Sequence, residues 1–454
     1  MNKQLHIIFF FLIVAELSCK KDSALLNLNP DSSLTNITTL DDAQALLDNI
    51  SVMQETPSLG ELSSDDFFLL DTVGLSQNPM EINAYFWQSD IYQGRRQIDD
   101  WNLPYKQVFF ANTVLDALTH ISDSSDISKR NFIKGSALFV RAYAYFNVAL
   151  LFASLPNAVP STLGIPLRLN ADPNIRSTRA SVADTYDQIL HDLIDASRLL
   201  PVSLDHKRKN RPSRPATFGL LARVYLSMGD YVKAGEYADS CLKYYSVLID
   251  YNSLLGTVSN PFSVNQPEVI YQSNLLSTTT IFKSKNWYID TSFYRSYHLD
   301  DLRKDVFFRQ DAITRYPVQQ YSYSGNQSLF SGIATDEIYL IRAEAYAKNG
   351  NPQAALKDLD TLLQKRWKTG SLPMLSATTA NEALELVRAE RRRELVFRGL
   401  RWIDIRRYNR ESPGAPLTRF TTDKVFKLPP NDPRFVLLIP PDVIELSGIK
   451  QNPR

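Results

Sequence analysis

Cysteine is almost missing from this chain. Of 454 residues only Cys19 and Cys241 carry a thiol, too few for a disulfide framework and too far apart for a zinc knuckle. Histidine is nearly as scarce. His6 falls in the N-terminal segment, and His120, His191, His206 and His298 are scattered, with no HExxH and no pair at helical spacing to hold a catalytic zinc. No GxSxG, Walker A or GxGxxG run occurs either, so neither a metal nor a cofactor is expected. Charge of one sign is also lacking: the formal net charge is +1. One short stretch, Glu390 to Arg410, holds eight arginines against three acids, which leaves the remainder slightly acidic. There is no broad basic field to follow a phosphate backbone, and nucleic acid is excluded as a partner. What is plentiful is apolar surface. At 44% apolar residues the chain reads as globular and long enough for a large core.

The N-terminus reads as an export signal over residues 1–18. Lys3 supplies positive charge, and Ile7 to Ala15 form a nine-residue apolar run, long enough for a signal core but far short of the ~20 residues that span a bilayer. The run ends in Leu17-Ser18-Cys19, which resembles a bacterial lipobox, with Cys19 as the residue to be lipidated. Glu16 stands where that pattern favours an aliphatic residue, and Leu17 sits one place late. Residues 19–39 are polar and read as a flexible lipidated tether. Several acyl chains on one residue would anchor stably, at about 0.8 kcal/mol per buried methylene. No later segment has 18 consecutive apolar residues, so residues 40–454 are expected to form one body on a lipid leash.

Apolar periodicity in that body is mostly helical. It predicts helices over Leu40–Ile50, Trp101–His120, Ile127–Phe152, Val182–Leu200, Pro215–Met228, Tyr231–Tyr245, Asp336–Lys348, Gln353–Arg366 and Ala380–Arg398. Two of these pairs share a pattern. Ala222, Tyr225, Gly229 and Ala234 fall where a tetratricopeptide repeat wants them, and Ala343, Tyr346, Gly350 and Ala355 repeat the spacing. The alanines let two antiparallel helices approach, and the glycines turn the chain between them. A third copy around Ala142 and Tyr145 lacks the glycine. Gly229 and Gly350 lie 121 residues apart, so the repeats are a scaffold interrupted by insertions.

Two insertions, at about 51–94 and 246–332, lack helical periodicity and are rich in rings. Long loops on a rigid frame commonly carry function. Exposed Trp and Tyr stack on the apolar faces of sugar rings while Asn, Asp and Arg side chains bond the hydroxyls. On that ground the candidate ligand-binding residues are Asp65, Asp66, Trp87 and Tyr92 in the first insertion, and Trp287, Tyr288, Tyr294, Tyr321 and Tyr323 in the second. A large protein buries most of its aromatics, and each of these rings taken singly reads equally as core; the clustering is what favours a ligand face. Trp101 and Cys241 lie on apolar helix faces and read as packing. Acids are plentiful, so a pair flanking a glycosidic bond stays open, but no pair is marked by its surroundings and no catalytic residue is assigned.

The arginine-rich stretch reads as a latch. Glu390 can reach Arg393 and Glu394 can reach Arg398 along a helix, while Leu395, Phe397, Trp402 and Ile405 offer apolar surface to the arginine stems.

"ERRRELVFRGLRWIDIRRYNR" closely resembles the signature of the SusD/RagB family of nutrient-binding outer-membrane lipoproteins. "ELSSDDFFLL", "RAYAYFNVALLFASLPNAVP", "LLARVYLSMGDY" and "RAEAYAKNG" resemble further family segments. "LLIPPDVIELSGIKQNPR" resembles the family's C-terminal run, with Ser447-Gly448 where Asn-Pro is usual and Arg454 in place of a glycine. The resemblance implies a mainly α, SusD-like fold of interrupted tetratricopeptide hairpins with long loop insertions carrying minor β structure. It also implies a lipid-anchored, cell-surface protein of the outer membrane that captures glycans, or in some members peptides, and delivers them to a SusC-like TonB-dependent transporter without doing covalent chemistry. Two rival readings remain at this point: a lipid-anchored repeat scaffold that binds proteins alone, and a glycoside hydrolase.

Overall fold

Wherever apolar residues recur at helical spacing, the chain is helical. The computed structural model describes residues 37–70, 78–122, 126–156, 162–254, 256, 260–284 and 286–454. Its longer helices are α1 (Leu40–Leu47), α2 (Asp99–His120), α3 (Ile127–Phe152), α4 (Val182–Leu199), α5 (Arg214–Met228), α6 (Tyr231–Tyr244), α7 (Thr335–Lys348), α8 (Pro352–Leu363), α9 (Ala380–Glu394) and α10 (Arg401–Glu411). Most ends fall within a few residues of the sequence expectation. The expected signal segment, Cys19 and most of the tether lie outside the described residues.

Helix α3 is long and apolar enough to cross a membrane by length and composition, but 94% of its most apolar window is buried. It is the central core helix, packed between α2 and α4. Trp101 sits against it, its ring edge-on to Phe152 at 5.1 Å, which is the packing role its spacing implied.

The two repeat hairpins turn in the same way. Gly229 and Gly350 are both left-handed, with φ of 85° and 80°, a conformation that costs glycine nothing because it has no Cβ. After each glycine the next N–H reaches back to the tyrosine carbonyl, Asp230 to Tyr225 at 3.0 Å and Asn351 to Tyr346 at 2.8 Å. That same residue caps the second helix: the Asp230 carboxylate accepts from Lys233 N–H at 3.0 Å and the Asn351 side chain from Ala354 N–H at 3.1 Å. Ala222 and Ala343 are fully buried. Distant in sequence, the hairpins are neighbours in space, because α6 packs directly on α7. Cys241 is enclosed in this stack, its thiol 3.2 Å from Pro215 O, and burial pushes its pKa up.

The β structure consists of short two-stranded pieces, and two of them tie the insertions to each other. Glu55–Thr56 runs parallel to Asn274–Leu275, and Phe67–Leu69 pairs antiparallel with Trp287–Ile289.

The arginine stretch closes the body. Arg407 binds Glu344 through two bonds of 2.6 Å and Asp404 at 2.8 Å; Arg391 joins the same Asp404 at 2.9 Å. Burial works to raise the Glu344 carboxyl, but Arg407 outweighs it and holds the pKa down at about 2. Arg393 meets Glu390, as its spacing implied. The expected Glu394–Arg398 pair does not form. Helix α9 stops at Glu394, and Phe397 and Gly399 are left-handed (φ 57° and 72°), so Arg398 leaves the helix face and binds Asp336 at 3.1 and 3.2 Å. Glu394 instead accepts from Arg303 at 2.9 Å and Arg366 at 2.7 Å, two arginines brought in from elsewhere in the chain. Pairs this deep contribute little net stability, yet breaking one leaves a buried charge uncompensated.

Candidate functional site

The ladder between Phe67–Leu69 and Trp287–Ile289 sorts the predicted rings. Its register sets Phe68 opposite Tyr288 and Leu69 opposite Trp287, and strand alternation puts these two pairs on opposite faces. Trp287 points inward. It meets Phe67, Phe282 and Phe397 edge-on, at 6.0, 5.3 and 5.2 Å, so the expectation that it stacks on a ligand is corrected: Trp287 is core. Tyr288 points outward but is covered, stacked on Phe68 at 5.7 Å with Tyr316 against it at 5.6 Å. The rings that reach solvent here are Phe68, half-buried, and Tyr316, 36% exposed, with Leu70 beside them at 51%.

Other candidates also turn inward. Tyr323 is buried, donates from its hydroxyl to Glu268 at 2.8 Å and carries the Arg398 guanidinium 4.0 Å over its ring. Tyr92 is buried, with its hydroxyl 2.7 Å from Leu438 O. Trp87 is buried and donates from its indole N–H to Ser63 O at 2.9 Å. Tyr294 is half-buried against Phe308 at 5.8 Å, with Lys304 Nζ 4.8 Å over its ring. Tyr321 is half-buried and borders a void of about 20 Å³, which is water-sized. For Tyr323, Tyr92 and Trp87 the burial has one cause. A tyrosine or tryptophan needs a single polar partner for its one donor, and an arginine-rich interior full of carbonyls and carboxylates supplies it.

An open groove of about 490 Å³ lies beside the ladder, walled by Asp65, Phe68, Asp290, Ser292, Arg392 and Phe420. Its far wall is a hairpin, Leu417–Phe420 paired with Val425–Leu428. Alternation again decides what faces where. Arg419 turns inward, its guanidinium 3.5 Å over the Tyr85 ring and hydrogen-bonded to the Tyr85 and Ser64 carbonyls, while its neighbour Phe420 stands 68% exposed. Burial lowers Arg419 to a pKa of about 10, against the opposing pull of Tyr85 and Asp65. This hairpin lies outside both insertions, so ring content there gave no pointer to Phe420; the alternation of "LTRF" was the available signal.

The two predicted carboxylates diverge. Asp65 lines the groove and takes a two-pronged pair from Arg401, at 2.6 and 2.8 Å. Burial works to raise it, but Arg401 and Arg392 outweigh that and hold it below the ordinary carboxylate range. Asp66 is buried behind it, bound by Arg392 at 2.8 Å, and burial pushes its carboxyl up despite Arg392. Glu61 lies deeper still; among the described residues no cation pairs with it, and its carboxylate accepts from Gly399 N–H at 2.8 Å and Ser64 Oγ at 3.3 Å. Burial, reinforced by Asp66, raises it to about 8. The groove therefore offers two ring edges, a carboxylate–guanidinium pair and the side chains of Asp290 and Ser292, a set suited to the apolar faces and hydroxyls of a saccharide.

Comparison with known proteins bears on the family and the fold. A model of SusD-like proteins, described as starch-binding and associating with the outer membrane, matches residues 25–226, and the SusD family model matches residues 308–436. A SusD-like protein of Formosa agariphila is 22% identical over 369 residues, 68% of this chain and 70% of its own length. Among solved structures, a SusD superfamily protein of Bacteroides thetaiotaomicron superposes with a TM-score of 0.75 at 23% identity, covering 92% of this chain and 100% of its own. A laminarin-binding SusD-like protein gives 0.67 at 18% identity, covering 92% and 99%. At these identities the structural likeness is one of fold.

Proposed function

The chain belongs to the SusD family, and we propose that it is a lipid-anchored protein of the outer-membrane surface that binds glycans in the Phe68–Phe420 groove and hands them to a SusC-like TonB-dependent transporter. The observation that carries the binding site is the groove itself: solvent-facing rings at Phe68 and Phe420, with Asp65, Arg392 and Asp290 between them. Sugar rings stack on such edges at little entropic cost, and the polar groups fix their orientation. Family membership and the Cys19 motif support the membrane location and the lipid anchor. The proposed binding is without covalent chemistry: Asp65 and Asp66 are held by Arg401 and Arg392, Glu61 is buried behind them, and Asp290 accepts from Phe293 N–H at 2.8 Å and Ser292 Oγ at 2.6 Å.

Native affinity electrophoresis through laminarin, starch and other neutral polysaccharides tests the binding claim. At least one should retard the wild type, and Phe68→Ala with Phe420→Ala should abolish the retardation without lowering the melting temperature. A protein retarded by none, or a double variant retarded as strongly as the wild type, removes the proposed site. Palmitate labelling of Cys19, lost in Cys19→Ala together with membrane association, tests the anchor.

A further inference from the structure

The arginines of the 390–410 stretch are not all neutralised. Arg391, Arg392, Arg393, Arg398, Arg401 and Arg407 meet carboxylates. Arg406 and Arg410 do not. They project four residues apart from one face of α10, and their bonds go to carbonyls alone. Arg406 donates to Leu150 O and, at 2.7 Å, to Ala153 O, near the end of α3. Arg410 donates to Pro156 O at 2.5 Å and to Met228 O at 3.2 Å, at the end of α5. Capping helix C-termini is favourable for a cation, but a neutral carbonyl leaves the formal charge in place.

Both arginines open onto a second cavity, of about 780 Å³, which Arg179 and Lys450 also line. Arg179 likewise spends its guanidinium on carbonyls, those of Gly164 at 2.8 Å, Lys450 at 2.9 Å and Leu163 at 3.1 Å. Among the described residues none of these four cations has a carboxylate within ion-pair distance. The one acid on the wall, Asp432, is already held by Arg434 through bonds of 2.8 and 2.9 Å. Arg406 is 6% exposed, and burial lowers its pKa to about 10. A charge so placed is costly unless something of opposite sign comes to it.

Size and lining narrow the occupant. The volume falls in the range of small-molecule sites and far exceeds that of an inorganic ion. The same wall includes the exposed amide of Asn431 and an edge of the largely buried Phe435. We infer that this cavity is a second binding site, which takes the carboxylate or sulfate group of an anionic saccharide onto Arg179, Arg406, Arg410 and Lys450. That the rest of the ligand is saccharide rests on the glycan-binding reading above; that it carries negative charge rests on the cavity alone. The two sites adjoin through one segment: Arg434, which holds Asp432 at the cavity, also donates to Trp87 O at 3.0 Å beside the groove.

The test is titration calorimetry of the full chain with trigalacturonate, with a sulfated carrageenan tetrasaccharide, and with neutral laminarihexaose. At least one anionic probe should bind saturably, more weakly at high salt, and which of the two does so tells carboxylate from sulfate. Lys450 is exposed and Lys450→Glu should leave the fold intact while weakening anionic binding by about tenfold or more, on the order of 1.4 kcal/mol. Arg179→Gln should act in the same direction, and Phe420→Ala should leave anionic binding unchanged. Absence of binding by both anionic probes overturns the inference. So does anionic binding that Lys450→Glu does not weaken, or that Phe420→Ala removes, since it would then belong to the groove. Laminarihexaose, expected at the groove, reports on the glycan-binding reading separately.

Discussion

Trp287 and Tyr288 are adjacent rings in one three-residue strand, and they have opposite fates. Trp287 is wedged among Phe67, Phe282 and Phe397; Tyr288 faces outward and becomes the floor under Phe68 and Tyr316. The neighbouring carboxylates divide in the same way, Asp65 toward the groove and held ionised by Arg401 and Arg392, Asp66 inward and pushed up by burial. An abundance of rings and acids in an insertion therefore marks a place in the fold where a site can be built, and the period of the strand decides which of them belong to it.

The comparison is most sharply broken by Trp287→Ala. Removing a large side chain from a packed interior should cost about 3–5 kcal/mol, read as a shift of the urea unfolding midpoint; a variant as stable as the wild type would move Trp287 out of the core. Next comes the inner carboxyl. Glu61 has a folded pKa of about 8 against 4.5 for the free side chain, so between those values the native state keeps a proton that the unfolded chain gives up. Its contribution is fully present below about pH 4.5 and is lost as pH rises toward 8, at up to about 1.4 kcal/mol per pH unit. Glu61→Gln should flatten the difference in unfolding free energy between pH 5 and pH 8, and an unchanged slope would show that Glu61 is ionised in the folded protein.

The outer face should behave in the opposite way. Phe68→Ala is expected to weaken glycan retention by about 1–2 kcal/mol, with the melting temperature nearly unchanged; a large melting shift would instead make the outward ring structural. Smallest is Phe420→Ala alone, at about 1 kcal/mol of binding, since its ring stands at the groove's edge with only one wall behind it. If Phe420→Ala had the larger effect, the centre of the site would lie on the hairpin and not on the ladder.

The helices were legible in the sequence because their apolar spacing extends over many turns, and the repeat hairpins because alanine and glycine at fixed offsets have a direct steric meaning. The arginine stretch was legible as a latch but not in its wiring. Glu394 and Arg398 look like a helical pair, yet the helix ends between them, and each finds its partner elsewhere. The groove was located only coarsely. Asp65 and Trp87 line it, Tyr288 underlies it, and Phe420 comes from a hairpin outside both aromatic insertions.

Sequence alone determined the helical frame, the repeat geometry, the concentration of guanidinium in one stretch and the family resemblance, all of which depend on neighbours within a turn or two or on a run of consecutive residues. Tertiary structure decided which rings face water and which carboxylate each arginine meets. The physical reason is distance along the chain. Arg392 and Asp66 are 326 residues apart and Arg401 and Asp65 are 336 apart, and a strand of three residues is too short for its alternation to announce which side is out until its partner strand and the helices behind it are in place.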